Sequence, residues 1–249
     1  MKIVVCIKRV PDTETKVRVA SDGKSLEKQG VNHVLNPYDE YAVEEAIRIK
    51  EKHEGEVTVV CLGPKEAAQV IRNALAMGAD KAVHLLDEEP DRDPISAARA
   101  LAEALKEMEF DILFFGRLAV DDQSAQVGPA VAHLLDLPCV IDVGKLEIED
   151  GKVKAYREVD AETYVVEATL PVVLTANKGL NEPRYPSLKG IMAAKKKPLE
   201  EKPAVAQPSG TKISKMEYPP ERQAGKIVGK GTEAVPELVR LLHEEAKVI

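Results

Sequence analysis

Short β-branched and aliphatic runs alternate with longer amphipathic stretches over the first two-thirds of the chain. Residues 3–7, 57–62, 81–86, 112–115, 139–143 and 172–175 read as strands. Most are apolar at every position, the pattern of strands covered on both faces. Between them, residues 38–53 place Ala42, Val43, Ala46 and Ile47 on one helical stripe. Residues 64–77 and 94–108 carry similar stripes behind a proline suited to the first helical turn. This alternation predicts an α/β fold built on a doubly wound, mostly parallel sheet.

The rhythm changes after Val143. LEIEDGKVKAYREV and AETYVVEATL are alternating runs, the first centred on an Asp150-Gly151 turn, and together they predict an antiparallel hairpin extension. Residues 172–175 are expected to return to the sheet. From residue 177 to 210 no periodicity is visible, and six of the 16 prolines lie between Pro198 and Pro236. A final amphipathic helix, about residues 235–247, presents Val235, Leu238, Val239, Leu241 and Leu242 as an apolar face. That face either packs back on the sheet or meets another chain, and a partner chain is the expectation adopted. The tail from about residue 180 is thus expected to hold another protein, with a nucleotide-binding domain over 1–197 and an extended C-terminal arm over 198–249.

Composition narrows the function. The chain of 249 residues has a net charge of −7 with acidic and basic residues interspersed, which disfavours a nucleic-acid footprint outside the run Lys195, Lys196 and Lys197. Cys6, Cys61 and Cys139 sit in apolar runs without CxxC or metal-ligand spacing, so buried reduced thiols and no metal are expected. MKIVVCIKRV enters a strand directly, and no run reaches the roughly 20 apolar residues of a membrane span. A cytoplasmic location is expected, or the mitochondrial matrix if a presequence has been removed. The five histidines have no nucleophile or metal motif around them, so no catalytic residue is assigned.

In an open parallel sheet, ligands bind beyond the carboxyl ends of the strands. The first such loop, KRVPD, lacks the GxGxxG of a dinucleotide fold. Leu62-Gly63-Pro64 forms a tight turn into a helix. Asn36-Pro37-Tyr38-Asp39 precedes another helix, where Asn36 or Asp39 could serve as a cap and Tyr38 as core. FFGRLAVDDQSAQVGP leaves a strand at Gly116 and enters a helix near Ala125. Exposed amides there could cradle a phosphate, with Ser124 and Gln126 as further donors. Asp121 and Asp122 would repel an anion unless turned away, and Asp122 or Ser124 could equally be an N-cap.

VCIKRVPDTETKVRV, NPYDEYAVEEAIRIKE, ALAMGAD, DDQSAQVGP and above all NEPRYPSLKGIMAAKKKP make the chain resemble the beta subunit of electron-transfer flavoprotein over residues 1–200. The resemblance implies a three-layer αβα domain. It also implies a heterodimer with an alpha subunit that holds most of an FAD, and one AMP in the beta subunit. AMP contacts would come from Cys6; from Asn36, Pro37, Tyr38 and Asp39; and from Leu62. The loop Gly116, Arg117, Leu118, Ala119, Val120, Asp121, Asp122, Gln123, Ser124, Ala125, Gln126 and Val127 would complete them. Tyr38 and Thr13 would approach the flavin edge. Leu188 would anchor client acyl-CoA or related dehydrogenases, flanked by Lys195, Lys196 and Lys197, and electrons would pass on to a quinone oxidoreductase.

The phosphate loop departs from the pattern of the simple mitochondrial carriers, which show Asn and Thr where Ala125 and Val127 stand. Electron-bifurcating relatives, with a second FAD in place of AMP, show AQVGP as here, yet carry Gly in place of Asp122. A side chain at that position narrows the space for a second pyrophosphate, which favours AMP. A stand-alone adenylate-binding enzyme or a nucleotide sensor of the same fold is the alternative of another class. The first lacks its glycine/serine loop after strand one, and the second leaves the tail unexplained.

Overall fold

The structure, a computed structural model, describes residues 1–88, 92–205, 207–221 and 224–249. They form two compact units, Met1–Lys215 and Met216–Ile249. In the first, eleven strands and five helices follow in order. They are β1 (Lys2–Ile7), β2 (Arg9–Pro11), β3 (His33–Leu35), α1 (Pro37–His53), β4 (Glu56–Gly63), α2 (Ala68–Met77), β5 (Lys81–Leu86), α3 (Pro94–Leu105), β6 (Ile112–Gly116), α4 (Val127–Leu134), β7 (Cys139–Glu149), β8 (Lys152–Val159), β9 (Glu162–Thr169), β10 (Val172–Ala176), α5 (Leu188–Ala194) and β11 (Leu199–Pro203).

Nine strands make one sheet in the order β11-β5-β4-β1-β6-β10-β7-β8-β9, and β2 and β3 pair separately. Pairing is parallel from β11 through β7 and antiparallel from β7 to β9. Two apolar layers cover the sheet, which explains the unbroken hydrophobic runs. Ile3, Val5 and Ile7 of β1 join α1 and α2 on one face, whereas Val4 and Cys6 join α3 and α4 on the other. The chain first winds outward from β1 to β4 and β5, then returns to place β6 on the other side of β1. The carboxyl ends of β1 and β6 therefore mark the topological switch point, where ligands of such sheets sit.

Three expectations are corrected. The helix expected over 64–77 begins with a 3-10 turn at Lys65–Ala67, and regular helix starts at Ala68. The strand expected over 139–143 runs on as β7 into the hairpin, absorbing irregular pairing beside Asp142 and Gly144. The stretch 177–210, expected to lack periodic structure, contains α5 and β11. Strand β11 pairs with β5 from Ala82 to Leu86, so the first residues of the expected arm close an edge of the sheet. Beyond it, Arg92 donates to the Gln207 carbonyl at 2.5 Å, and the Asp93 carboxylate accepts from Gly210 and Thr211 amides at 2.5 and 3.2 Å. Of the stretch 198–249, residues 206, 222 and 223 lie outside the described residues.

In the second unit, α6 (Val235–Leu241) continues into a wider turn at Leu242–Ala246. Of the expected apolar face, Val235, Leu238 and Val239 are exposed and Leu241 is buried.

A chain ending at Lys215 should keep the thermal midpoint of the first unit. One ending at Lys197 strips β11 from β5 and should melt several degrees lower, at about 2–4 °C per kcal/mol lost. Equal midpoints by calorimetry would show that β11 contributes nothing to the domain.

Candidate functional site

The switch point is built around one carboxylate. Asp39, in the first turn of α1, is 5% exposed. It accepts from the Lys8 amide at the end of β1 (2.7 Å), the Gly116 amide at the end of β6 (3.2 Å) and Asn36 Nδ2 (2.9 Å). Asn36 also donates to the Leu118 carbonyl (2.8 Å) and accepts from the Val120 amide (3.2 Å). It occupies the N-cap position of α1, yet its side chain makes no cap bond and is committed to the 116–127 loop. Gly116 admits no side chain, because a Cβ there would lie 2.3 Å from Asp39 Oδ1 and 2.8 Å from the Asp39 nitrogen.

Lys8 supplies what the sequence reading missed. Its Nζ lies 2.9 Å from both Asp121 and Asp122, so the acidic pair is bridged by a cation. Burial works against the charge on Lys8, but the two carboxylates outweigh it and hold its pKa above the ordinary value. Burial alone would raise Asp122; the Ser124 amide at 2.9 Å and Lys8 outweigh it and hold that carboxyl below its usual range. Gln123 and Ala125 adopt left-handed conformations at φ 52° and 53°, uncommon for residues with a side chain. Among the described residues, the amides of Ala125, Gln126 and Val127 meet no acceptor in the chain, leaving a row of donors at the start of α4.

Pro37, Tyr38 and Leu62 are half-buried, and Thr13 is exposed in the loop after β2. The Cys6 side chain is 4% exposed and packs with the apolar layer under α3 and α4, where burial pushes its thiol pKa well up and keeps it protonated. Arg117 turns to Asp142, 2.8 Å away. No group of three or more His, Cys, Asp or Glu that could hold a metal occurs among the described residues. No described helix is long and apolar enough to cross a membrane.

Residues 24–207 match the electron transfer flavoprotein domain. The chain belongs to the electron transfer flavoprotein beta-subunit family. Proteins named electron transfer flavoprotein subunit beta are similar to it along essentially their whole length. That of Bacillus subtilis is 45% identical, covering 100% of both chains, and that of Syntrophomonas wolfei is 43% identical, covering 100% of this chain and 98% of its own. The mouse protein is 39% identical, covering 100% and 99%.

In this family member the segment carrying Leu188 is fixed to the domain. Asn181 Nδ2 donates to the Tyr41 carbonyl (3.0 Å) and to Glu45 (2.9 Å) on α1. Ser187 caps α5 by accepting from the Gly190 amide at 3.0 Å. A Cβ on Gly190 would stand 2.5 Å from the Ala76 carbonyl, so α5 lies backbone-close against α2. Tyr185, Leu188 and Met192 remain 95%, 83% and 71% exposed. The three lysines divide: Lys195 and Lys196 are exposed, but Lys197 Nζ caps α2 on the Leu75 and Ala79 carbonyls at 2.9 and 2.5 Å. Arg72 returns the contact, donating to the Ala194 and Lys197 carbonyls at 2.5 and 3.0 Å.

Burial pushes Asp39 from an ordinary 3.8 up to about 7, despite the donors of Asn36, Lys8 and Gly116. Its folded-state pKa thus exceeds the unfolded one, and the fold favours the protonated form. The stability this carries is complete below about pH 4 and is lost as pH rises through about 7. Its size is a few kcal/mol, at about 1.4 kcal/mol per unit. Urea unfolding at pH 5 and pH 8 should show a larger loss in the native chain than in Asp39→Asn; equal losses would locate the pH dependence elsewhere.

Proposed function

We propose that this chain is the beta subunit of a heterodimeric electron-transfer flavoprotein. It accepts electrons from acyl-CoA or related dehydrogenases onto an FAD held mainly by the alpha subunit. The electrons go on to a quinone oxidoreductase, and the chain itself holds one AMP. The observation that carries this is the coexistence, in one domain, of unpaired backbone amides at the start of α4, in the loop leaving the switch point, and an exposed apolar anchor on a fixed platform.

The crevice suits an adenylate by its chemistry. The row of amides from Ala125 to Val127 would hold the phosphate, with Ser124 beside it. Asn36 and Asp39 would shape the floor with Pro37 and Tyr38, and Cys6 and Leu62 at the ends of β1 and β4 would border it. The rest of the loop, from Gly116 through Gln126, would wrap the ligand, and Lys8 would offset Asp121 and Asp122. FAD, when bound, supplies the reversible redox chemistry. Tyr38 and Thr13 would orient and shield its edge from this side, and no residue here needs to move a proton. Leu188 would enter an apolar socket on the dehydrogenase, with Lys195 and Lys196 at the rim. Family membership supports a carrier subunit over a stand-alone enzyme. The cytoplasm, or the matrix of a mitochondrion, is the compartment this function fits.

A second FAD in place of AMP is the rival reading, and the AQVGP run favours it. Asp122 opposes it, because its carboxylate both binds Lys8 and closes the turn at Ser124. Denaturing the copurified complex and counting released nucleotides decides the matter. One FAD and one AMP per complex are expected; two FAD would establish the rival, and ATP turnover without flavin would overturn both. In the same complex, Leu188→Ala should slow flavin reduction by an acyl-CoA dehydrogenase roughly tenfold or more, the scale of an interface anchor, with flavin content unchanged. An unchanged rate would remove Leu188 from docking.

A further inference from the structure

The stretch 177–187 has neither helix nor strand, yet it delivers the exposed anchor to one place. A loop so poor in backbone pairing is ordinarily mobile. Here Arg184 stands where the ladder bonds are missing. Its guanidinium meets Glu44 through Nε and Nη2 at 2.9 and 3.0 Å, and Glu51 through Nη1 and Nη2 at 2.7 and 3.1 Å. Its own amide adds a third bond to Glu44 at 3.1 Å. Glu44 and Glu51 are two turns apart on one face of α1, so two fork-to-fork pairs grip one side chain. The Glu44 side chain is 6% exposed and spends its oxygens on this guanidinium, while Glu51 is 54% exposed. Pro183 and Pro186 bracket the clamp and restrict the chain on either side of it.

We propose that Arg184 is the positioning residue of the docking segment: clamped to Glu44 and Glu51, it holds residues 185–194 pre-formed, so that a partner with an apolar, acid-rimmed socket binds without refolding them. This rests on the docking role given above to Leu188. The chemistry of the partner follows from Tyr185, Leu188 and Met192, which are exposed and apolar, with Lys189, Lys195 and Lys196 exposed beside them. Pre-organisation spares the ordering entropy that a disordered docking loop would lose on each encounter, a relevant saving for a carrier that binds and leaves repeatedly.

Two measurements on the assembled heterodimer test this. Amide exchange read by mass spectrometry should be slow in residues 185–194 of the native complex. It should quicken roughly tenfold in Arg184→Gln and less in Arg184→Lys, which keeps one charge but not two forks. Exchange already fast in the native complex, or unaltered in Arg184→Gln, overturns the proposal without bearing on Leu188. Kinetically, Arg184→Gln should raise the KM for an acyl-CoA dehydrogenase about tenfold while turnover at saturation is retained. Glu51→Gln, which leaves buried Glu44 paired and the fold safe, should move both readouts in the same direction by a smaller factor. If Leu188→Ala raises KM and neither clamp variant does, docking stands and the clamp fails. If Leu188→Ala also leaves KM unchanged, the docking role fails, and the exchange data alone decide the clamp.

Discussion

Where β1 and β6 part company, two backbone amides at strand ends find their acceptor in a single side chain. The Asp39 carboxylate takes both, Lys8 and Gly116, and is itself steadied by Asn36. Because Asp39 rides on α1, the same contacts lock that helix across the switch point, and Asn36 extends the lock to the loop leaving β6. The three donors lessen the cost of burying the Asp39 carboxyl without cancelling it, and they fix three elements in one register. Gly116 is the geometric counterpart of this arrangement, since any side chain there would occupy the space of the carboxylate. The amides of Ala125, Gln126 and Val127 at the start of α4 are left without an acceptor in the chain.

The same helix serves a second end. The amino-terminal turn of α1 holds the floor of the crevice, while Tyr41, Glu44, Glu45 and Glu51 further along it receive Asn181 and Arg184. Helix α2 completes the platform with Arg72 and with the carboxyl-terminal carbonyls that Lys197 caps. The pair α1 and α2 therefore links the switch point to the segment carrying Leu188.

Much of this was legible in the sequence, for physical reasons that also explain the failures. Strands covered on both faces must be apolar throughout, so β1, β4, β5, β6 and β10 stood out within a residue or two. Strand β11 did not: LEEKP lies at a sheet edge with most of its side chains in water and is held by its backbone ladder, which leaves no hydrophobic alternation to see. Helix α5, with Ala194 as its one buried residue, is too short for periodicity to register. Lysines 195–197 are identical in sequence, and only the end of α2 distinguishes Lys197 from its neighbours. The acidic pair in the loop looked hostile to phosphate because its counterion, Lys8, is 113 residues away in the chain. The motif carrying Leu188 was plain, but the Arg184 clamp required knowing that two turns of α1 face it.

We propose that the switch point ordered by Asn36 and Asp39 is an adenylate site separate from the flavin. Calorimetric titration of AMP into the nucleotide-stripped heterodimer, reloaded with FAD, tests it in native and Asn36→Ala forms. The account predicts one AMP site per native heterodimer, with affinity lost in the variant and FAD retained in both. Unchanged AMP binding by Asn36→Ala, or none by the native complex, would contradict it.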